Sequence, residues 1–314
     1  MSASATPPST SSKNNNEDNY FRAYATLRPT FGYIKEDDET LWDVRDALSH
    51  AGFKASTTFT KGWEAILQGE WGIDLSEQGD FGKARQVYVA LNSPVGSIGI
   101  GKQRPTQYLF IAEYIDIFNH SNSPFAYDPE SIFFVDNLFT YKLSTGHITW
   151  MLASQFNGKE GDNNNDLTNI GISYDKGTFH AAFTYLTENT HSSDIKTGED
   201  KIYAGSLAYE FSNSFYIALG YQDRTYQNNT DPTSRKGHTL DIVSAYKLSE
   251  YFKIKFGFSD FSDDYSSDNS QNFNAYNTTL EWQPTSSLRF HIEYLQRNFD
   301  YIDDFASISI GFRY

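Results

Sequence analysis

The ten residues from Phe305 to Tyr314 alternate without a break. Ala306, Ile308, Ile310, Phe312 and Tyr314 fall on one side, and Phe305, Ser307, Ser309, Gly311 and Arg313 on the other. Successive side chains of an extended chain point to opposite faces, so this stretch is a strand with one apolar and one mostly polar face. The pattern recurs along the sequence. Phe21, Leu27 and Phe31 oppose Arg22, Tyr24 and Thr30; Trp63, Leu67 and Trp71 oppose Glu64, Gln68 and Glu70. Phe215, Ile217, Leu219 and Tyr221 oppose Tyr216, Ala218, Gly220 and Gln222, and Phe290, Ile292 and Tyr294 oppose Arg289, His291 and Glu293. Such a chain must pair its strands and hide one of the two faces.

Two solutions exist. A soluble sandwich turns the apolar face inward; a barrel in lipid turns it outward. Mean hydropathy is −0.57 and no run of about 18 apolar residues occurs, which excludes a transmembrane helix but not a barrel, whose strands show lipid only every second residue. Aromatics make up 17% of the chain, with 22 Tyr and 25 Phe, as girdles at two lipid–water boundaries would require.

Connection lengths favour the barrel. Short turns at 60–62, 92–94, 144–146, 175–177, 212–214, 249–250 and 284–286 alternate with longer polar stretches at 36–48, 77–82, 106–134, 159–166, 190–200, 228–237 and 264–272. An up-and-down barrel has short turns at one end and long loops at the other; a Greek-key sandwich does not keep that order. The expected fold is therefore all-β: a transmembrane antiparallel up-and-down β-barrel of sixteen strands over residues 20–314, with 1–19 as a disordered tail. Sixteen strands enclose more space than side chains fill, which leaves a watery lumen lined by Lys, Arg, Glu, Gln, Ser and Gly.

The stretch 106–134 stands apart. Tyr108 to Phe118 is too apolar for a loop in solvent, its spacing suggests a short helical turn, and the room for it is inside the barrel. Here the sequence resembles the general porins of Gram-negative outer membranes. The resemblance is carried by His50-Ala-Gly-Phe-Lys54, Lys83-Ala-Arg85, Gly96 to Gln103, Ser131 to Val135, and the final Gly311-Phe-Arg-Tyr314, where the family usually ends in Phe. It implies a third loop folded inward to narrow the pore, a homotrimer in a lipid bilayer with lipopolysaccharide, and passage of ions and small hydrophilic solutes. It also implies a constriction with basic wall residues facing loop carboxylates. Arg85 matches one wall arginine, and His50 stands where another is usual. A third is replaced by Asp136-Asn137, leaving Lys54, Lys83, Lys102 or Arg104 to rebuild the basic side. Glu113 and Asp116 are the acids expected on the loop, with Asp128 and Glu130 behind them.

Other functions find less support. A charge of −15 disfavours nucleic acid and suits a mild preference for cations. With no cysteine there is no disulfide or thiolate site, and the seven His form no zinc pair, so no metal or cofactor is expected. Gly161 to Asp166 offers oxygen atoms but lacks the spacing of a calcium loop. His120 and Ser121 are neighbours without a visible third triad member. The first residues carry no apolar signal segment, so an exported chain of this sequence is a processed or recombinant form. A substrate-selective porin, with Tyr24, Tyr108, Tyr114 and Tyr216 as a sugar slide, and a barrel protease or phospholipase are the alternatives.

Overall fold

The computed structural model describes residues 18–36, 39–76, 79–119, 133–157, 165–192, 195–212, 214–228, 235–263, 272–300 and 303–314. Asp128, Glu130, His120, Ser121, most of the candidate calcium loop and nearly all of the expected tail lie outside them. Asp18 and Asn19, expected in the tail, instead open the first strand.

Eighteen strands follow one another: β1 (Asp18–Thr26), β2 (Pro29–Glu36), β3 (Glu39–Asp46), β4 (His50–Thr60), β5 (Trp63–Ile73), β6 (Phe81–Ser93), β7 (Gly96–Gln103), β8 (Val135–Thr145) and β9 (Ile148–Gln155), then β10 (Leu167–Lys176), β11 (Phe179–Ser192), β12 (Ile195–Phe211), β13 (Phe215–Asn228), β14 (Arg235–Lys247), β15 (Phe252–Asp263), β16 (Phe273–Trp282), β17 (Arg289–Phe299) and β18 (Phe305–Arg313). Every pairing is antiparallel. From β4 to β18 each strand joins the next in chain order; β18 then pairs with β2, with Ile308 opposite Tyr33 and Ile310 opposite Phe31, while β2 pairs with β3 and β1 with β4. Positive φ at Gly146 and Gly177 lets the chain reverse in the tight turns after β8 and β10.

The count is eighteen, not the expected sixteen. The difference lies in the alternating run that begins near Phe21, which gives two strands, and in 36–48, expected as a longer polar connection. The first is interrupted at Leu27-Arg28, because Pro29 has no N–H to give the ladder. The second holds β3, whose outward Trp42 stacks on Phe31 with ring centroids 5.2 Å apart. The matching break between β3 and β4 passes through Leu48 at φ 70° and is satisfied by side chains. Arg28 N–H donates to Ser49 Oγ at 2.7 Å, and Ser49 N–H to Asp46 Oδ2 at 2.8 Å.

Burial is the reverse of a soluble protein's. Ile310 is 54% exposed and Ile292 50%, whereas their strand neighbours Ser309 and Glu293 are 4% and 0% exposed. The same holds for Phe183 against Thr184, Leu219 against Ala218, and Phe256 against Lys255. The apolar stripe read from the sequence is the outer face. The inner face is not purely polar, however, which corrects the expected lining. Val135, Leu138, Ala153, Leu167, Leu186 and Ile202 form one buried apolar cluster, and Phe261, Phe273 and Ala275 another, on strand segments beside the long connections.

Candidate functional site

The chain leaves β7 and crosses the inner face. It forms helix α1 (Thr106–Phe110) and a 3-10 turn (Ala112–Tyr114), as the apolar spacing suggested. Its apolar residues are what fasten it. Phe110 and Ile111 pack on Met151 and Ala204; Ile115 and Phe118 pack on Ala208, Ala218 and Val243. Small wall residues make the seat: a Cβ on Gly220 would stand 3.1 Å from Ile115, and one on Gly171 3.0 Å from Phe110.

Polar clamps hold the backbone between these contacts, since a buried peptide group without a partner is costly. Asn169 Oδ1 accepts the Gln107 N–H at 2.6 Å, Ser206 Oγ donates to the Phe110 carbonyl at 2.7 Å, and Tyr216 donates to the Tyr114 carbonyl at 2.7 Å. At the far end Lys255 Nζ donates to the Ile117 carbonyl at 2.7 Å. Glu293 accepts the Asn119 N–H at 3.0 Å, and also accepts from Asn277 and Thr279. The segment thus runs from β7 to β15 and β17, and its midpoint is sealed on β9 to β14.

The expected wall residues separate into groups. Arg85 Nε meets Glu70 Oε1 at 2.8 Å, Tyr24 donates to Glu70 Oε2 at 2.8 Å, and His50 Nε2 stands 3.9 Å from the same oxygen. The nearly buried Glu70, which the sequence reading did not single out, therefore gathers Arg85, His50 and Tyr24. Lys54 lies opposite Arg22 on β1 and Gln68 on β5. Lys102 pairs with Asp136 at 2.8 Å, so the acid standing where a wall arginine was expected cancels a neighbouring lysine. Arg104 lies over the Tyr108 ring at 3.7 Å and Phe134 at 5.1 Å. Lys83 is exposed at the start of β6, outside these groups.

On the loop, Asp116 accepts from Tyr108 at 3.1 Å. Glu113 opens to solvent yet has protein crowding it on several sides, and that partial loss of water pushes its carboxyl above the usual range, against the pull of Arg104. Tyr114 stacks on His180 at 3.4 Å and donates to Asp175 at 3.3 Å; burial, then the Asp175 charge, pushes its hydroxyl up. All four tyrosines considered as a slide are hydrogen-bonded: Tyr24 to Glu70, Tyr108 to Asp116, Tyr114 to Asp175, and Tyr216 to the loop.

One arrangement has the outline of a triad. His180 Nδ1 lies 2.6 Å from Asp175 and Nε2 3.1 Å from Ser206 Oγ. Both Ser206 and His180 Nε2, however, converge on the Phe110 carbonyl, at 2.7 and 2.9 Å. The serine proton is committed to that carbonyl and the hydroxyl is buried, so the group is built to fasten the loop.

Against this geometry, a family model described as Gram-negative porin matches residues 2–314. Among solved structures, a loop L8 deletion mutant of OmpT, an outer membrane protein of Vibrio cholerae, superposes with a TM-score of 0.77 at 17% identity, covering 94% of this chain and 99% of that one. OmpF of Salmonella typhi in complex with daunomycin gives 0.76 at 16% identity, covering 94% and 98%. An anion-selective porin from Comamonas acidovorans gives 0.75 at 12%, covering 94% and 99%. At these identities the likeness is one of fold. Comparison with curated protein sequences gives no match.

Proposed function

From the premise that this chain belongs to the Gram-negative porin family, we propose that it is a passive diffusion channel for ions and small hydrophilic solutes across the outer membrane, mildly selective for cations. The family places the protein in that membrane, and no described helix is long and apolar enough to cross one, so the strands do. The observation that carries the reading is the inverted burial combined with a loop clamped to the inner face. The pairing of β18 with β2 supports a sheet that closes into a barrel, and the segment 104–119 then narrows its lumen. Within that narrowing, Glu113 and Asp116 bring acidic charge, while Arg85 is paired with Glu70 and Lys102 with Asp136. With −15 overall, the field favours cations.

A homotrimer in contact with lipopolysaccharide goes with this reading, and the OmpT structure described as a trimer form is of this fold. Channel rather than enzyme is the reading favoured at the Asp175–His180–Ser206 group, whose hydroxyl serves the loop backbone.

The test is electrical. Folded protein added to a planar bilayer gives stepwise, ohmic KCl conductance, and the reversal potential in a KCl gradient points to potassium. Folded protein that carries no current refutes the channel; a reversal potential pointing to chloride refutes only the selectivity.

A further inference from the structure

Three arginines share one cross-strand row near the short-turn end of the inner face. Arg289 lies directly opposite Arg313 in the β17–β18 ladder. On the other side of β18, Gly311 pairs with Thr30, and Leu27 and Tyr314 exchange N–H to O=C bonds of 3.0 Å in both directions. That register sets Arg28 opposite Arg313. Alternation from the buried Thr30, Ser309 and His291 directs all three inward.

Counter-charge is scarce there. Glu281, 1% exposed, is shared by Lys255 Nζ at 2.7 Å, Arg289 Nε at 3.3 Å and Lys253 Nζ at 3.9 Å. Glu293, also buried, is engaged by Asn119, Asn277 and Thr279. Arg313 closes no ion pair among the described residues. Its neighbours across the two ladders are Arg28 and Arg289, which repel it. Beside the row, the buried His291 has neither ring nitrogen hydrogen-bonded to protein. It has room for its ring only because residue 311 is glycine, where a Cβ would approach to 2.7 Å.

Like charges directly opposite on neighbouring strands destabilise a sheet, a cost that Arg28, donating to the Phe118 carbonyl at 3.4 Å, and Arg289, meeting Glu281, offset only in part. The row's chemistry is that of a receptor: guanidinium forks match the two oxygens of a carboxylate or phosphate, and a shared carboxylate holds the cations in place. We propose that Arg28, Arg289 and Arg313, with His291 behind them, form an oxyanion-binding site that takes the carboxylate or phosphate group of a small solute. The inference rests on the channel reading only for the route by which the solute arrives. A local site of this kind is compatible with cation preference overall, because it acts on a bound group and not on the bulk field.

The experiment uses the full chain. Inorganic phosphate, or succinate in a parallel arm, is titrated on both sides of a bilayer holding the channel in constant KCl. Calorimetry of the same anions against the detergent-folded protein runs alongside. The wild type shows saturable reduction of KCl current and saturable heat; the stronger arm identifies the preferred group. In the Arg289→Gln/Arg313→Gln double variant the half-blocking and half-binding concentrations rise by about tenfold or more, and Arg313→Lys, which keeps the charge without the fork, falls between. Equal block and equal heat in wild type and double variant overturn the site, as does no binding of either anion to wild type that conducts KCl. Absence of KCl current refutes the channel reading instead, and calorimetry then decides the site by itself.

Discussion

Glu293→Gln is the substitution that probes the loop clamp most sharply. Four donors converge on the Glu293 carboxylate: Asn119 N–H, Asn119 Nδ2 at 3.3 Å, Asn277 Nδ2 at 3.1 Å and Thr279 Oγ1 at 2.6 Å. Glutamine keeps the volume but loses the charge and turns one acceptor into a donor. A hydrogen bond to a charged acceptor contributes about 1.5–3 kcal/mol net, against about 1 for a neutral one. Two of the four bonds belong to Asn119, so the share borne by the loop is about 2 kcal/mol. That shifts the ratio of docked to undocked loop end by about thirtyfold. The strand ladder is untouched, because β17 pairs through its backbone. In single-channel records the variant therefore shows added flicker and a larger mean conductance. Limited proteolysis of the loop is faster, and global unfolding in detergent is little changed. Conductance and cleavage identical to the wild type, in protein that folds normally, would refute the clamp.

Three further outcomes follow from the same geometry. Since Glu113 is held above the ordinary carboxylate range, it loses its charge at a higher pH than a solvated glutamate. Cation preference, read as reversal potential, thus weakens on acidification earlier than for a free carboxylate, and Glu113→Gln removes that part of the pH dependence. Glu70→Gln releases Arg85 and moves the reversal potential toward chloride, without loss of conductance. Ile292→Arg, on the outer face, destabilises the folded protein by up to about 2–4 kcal/mol, measured by denaturant unfolding in lipid vesicles.

The outer face was legible in the sequence because lipid makes one demand on every second residue, and Phe290, Ile292 and Tyr294 state it locally. A helical turn was legible for a different reason: the apolar residues from Tyr108 to Phe118 had to be seated somewhere. The stretch 36–48 was misread because its acidic flank, Glu36 to Glu39, masked the alternation of Trp42 and Val44 with Asp43 and Arg45. Glu70 gave no sign of itself, since its importance comes from partners on β1, β4 and β6. The arginine row was beyond reach for a stronger reason. Arg28 and Arg313 stand at opposite ends of the chain, and only the β18–β2 register brings them level. Spacing in sequence reveals what one strand shows to its surroundings; it does not reveal what different strands bring to the same height.

The central claim is that hydrocarbon meets the outer face and water the inner one. The chain has no cysteine, so single cysteines can be placed and spin-labelled without background. Labels at Ile292, Ile308 and Ile310, and at Glu113 and Lys54, are compared in lipid vesicles for collision with dissolved oxygen and with a water-soluble nickel chelate. The account predicts that the three isoleucine sites meet oxygen and are shielded from nickel, while Glu113 and Lys54 meet nickel. Nickel reaching the isoleucine sites and excluded from the other two would contradict it.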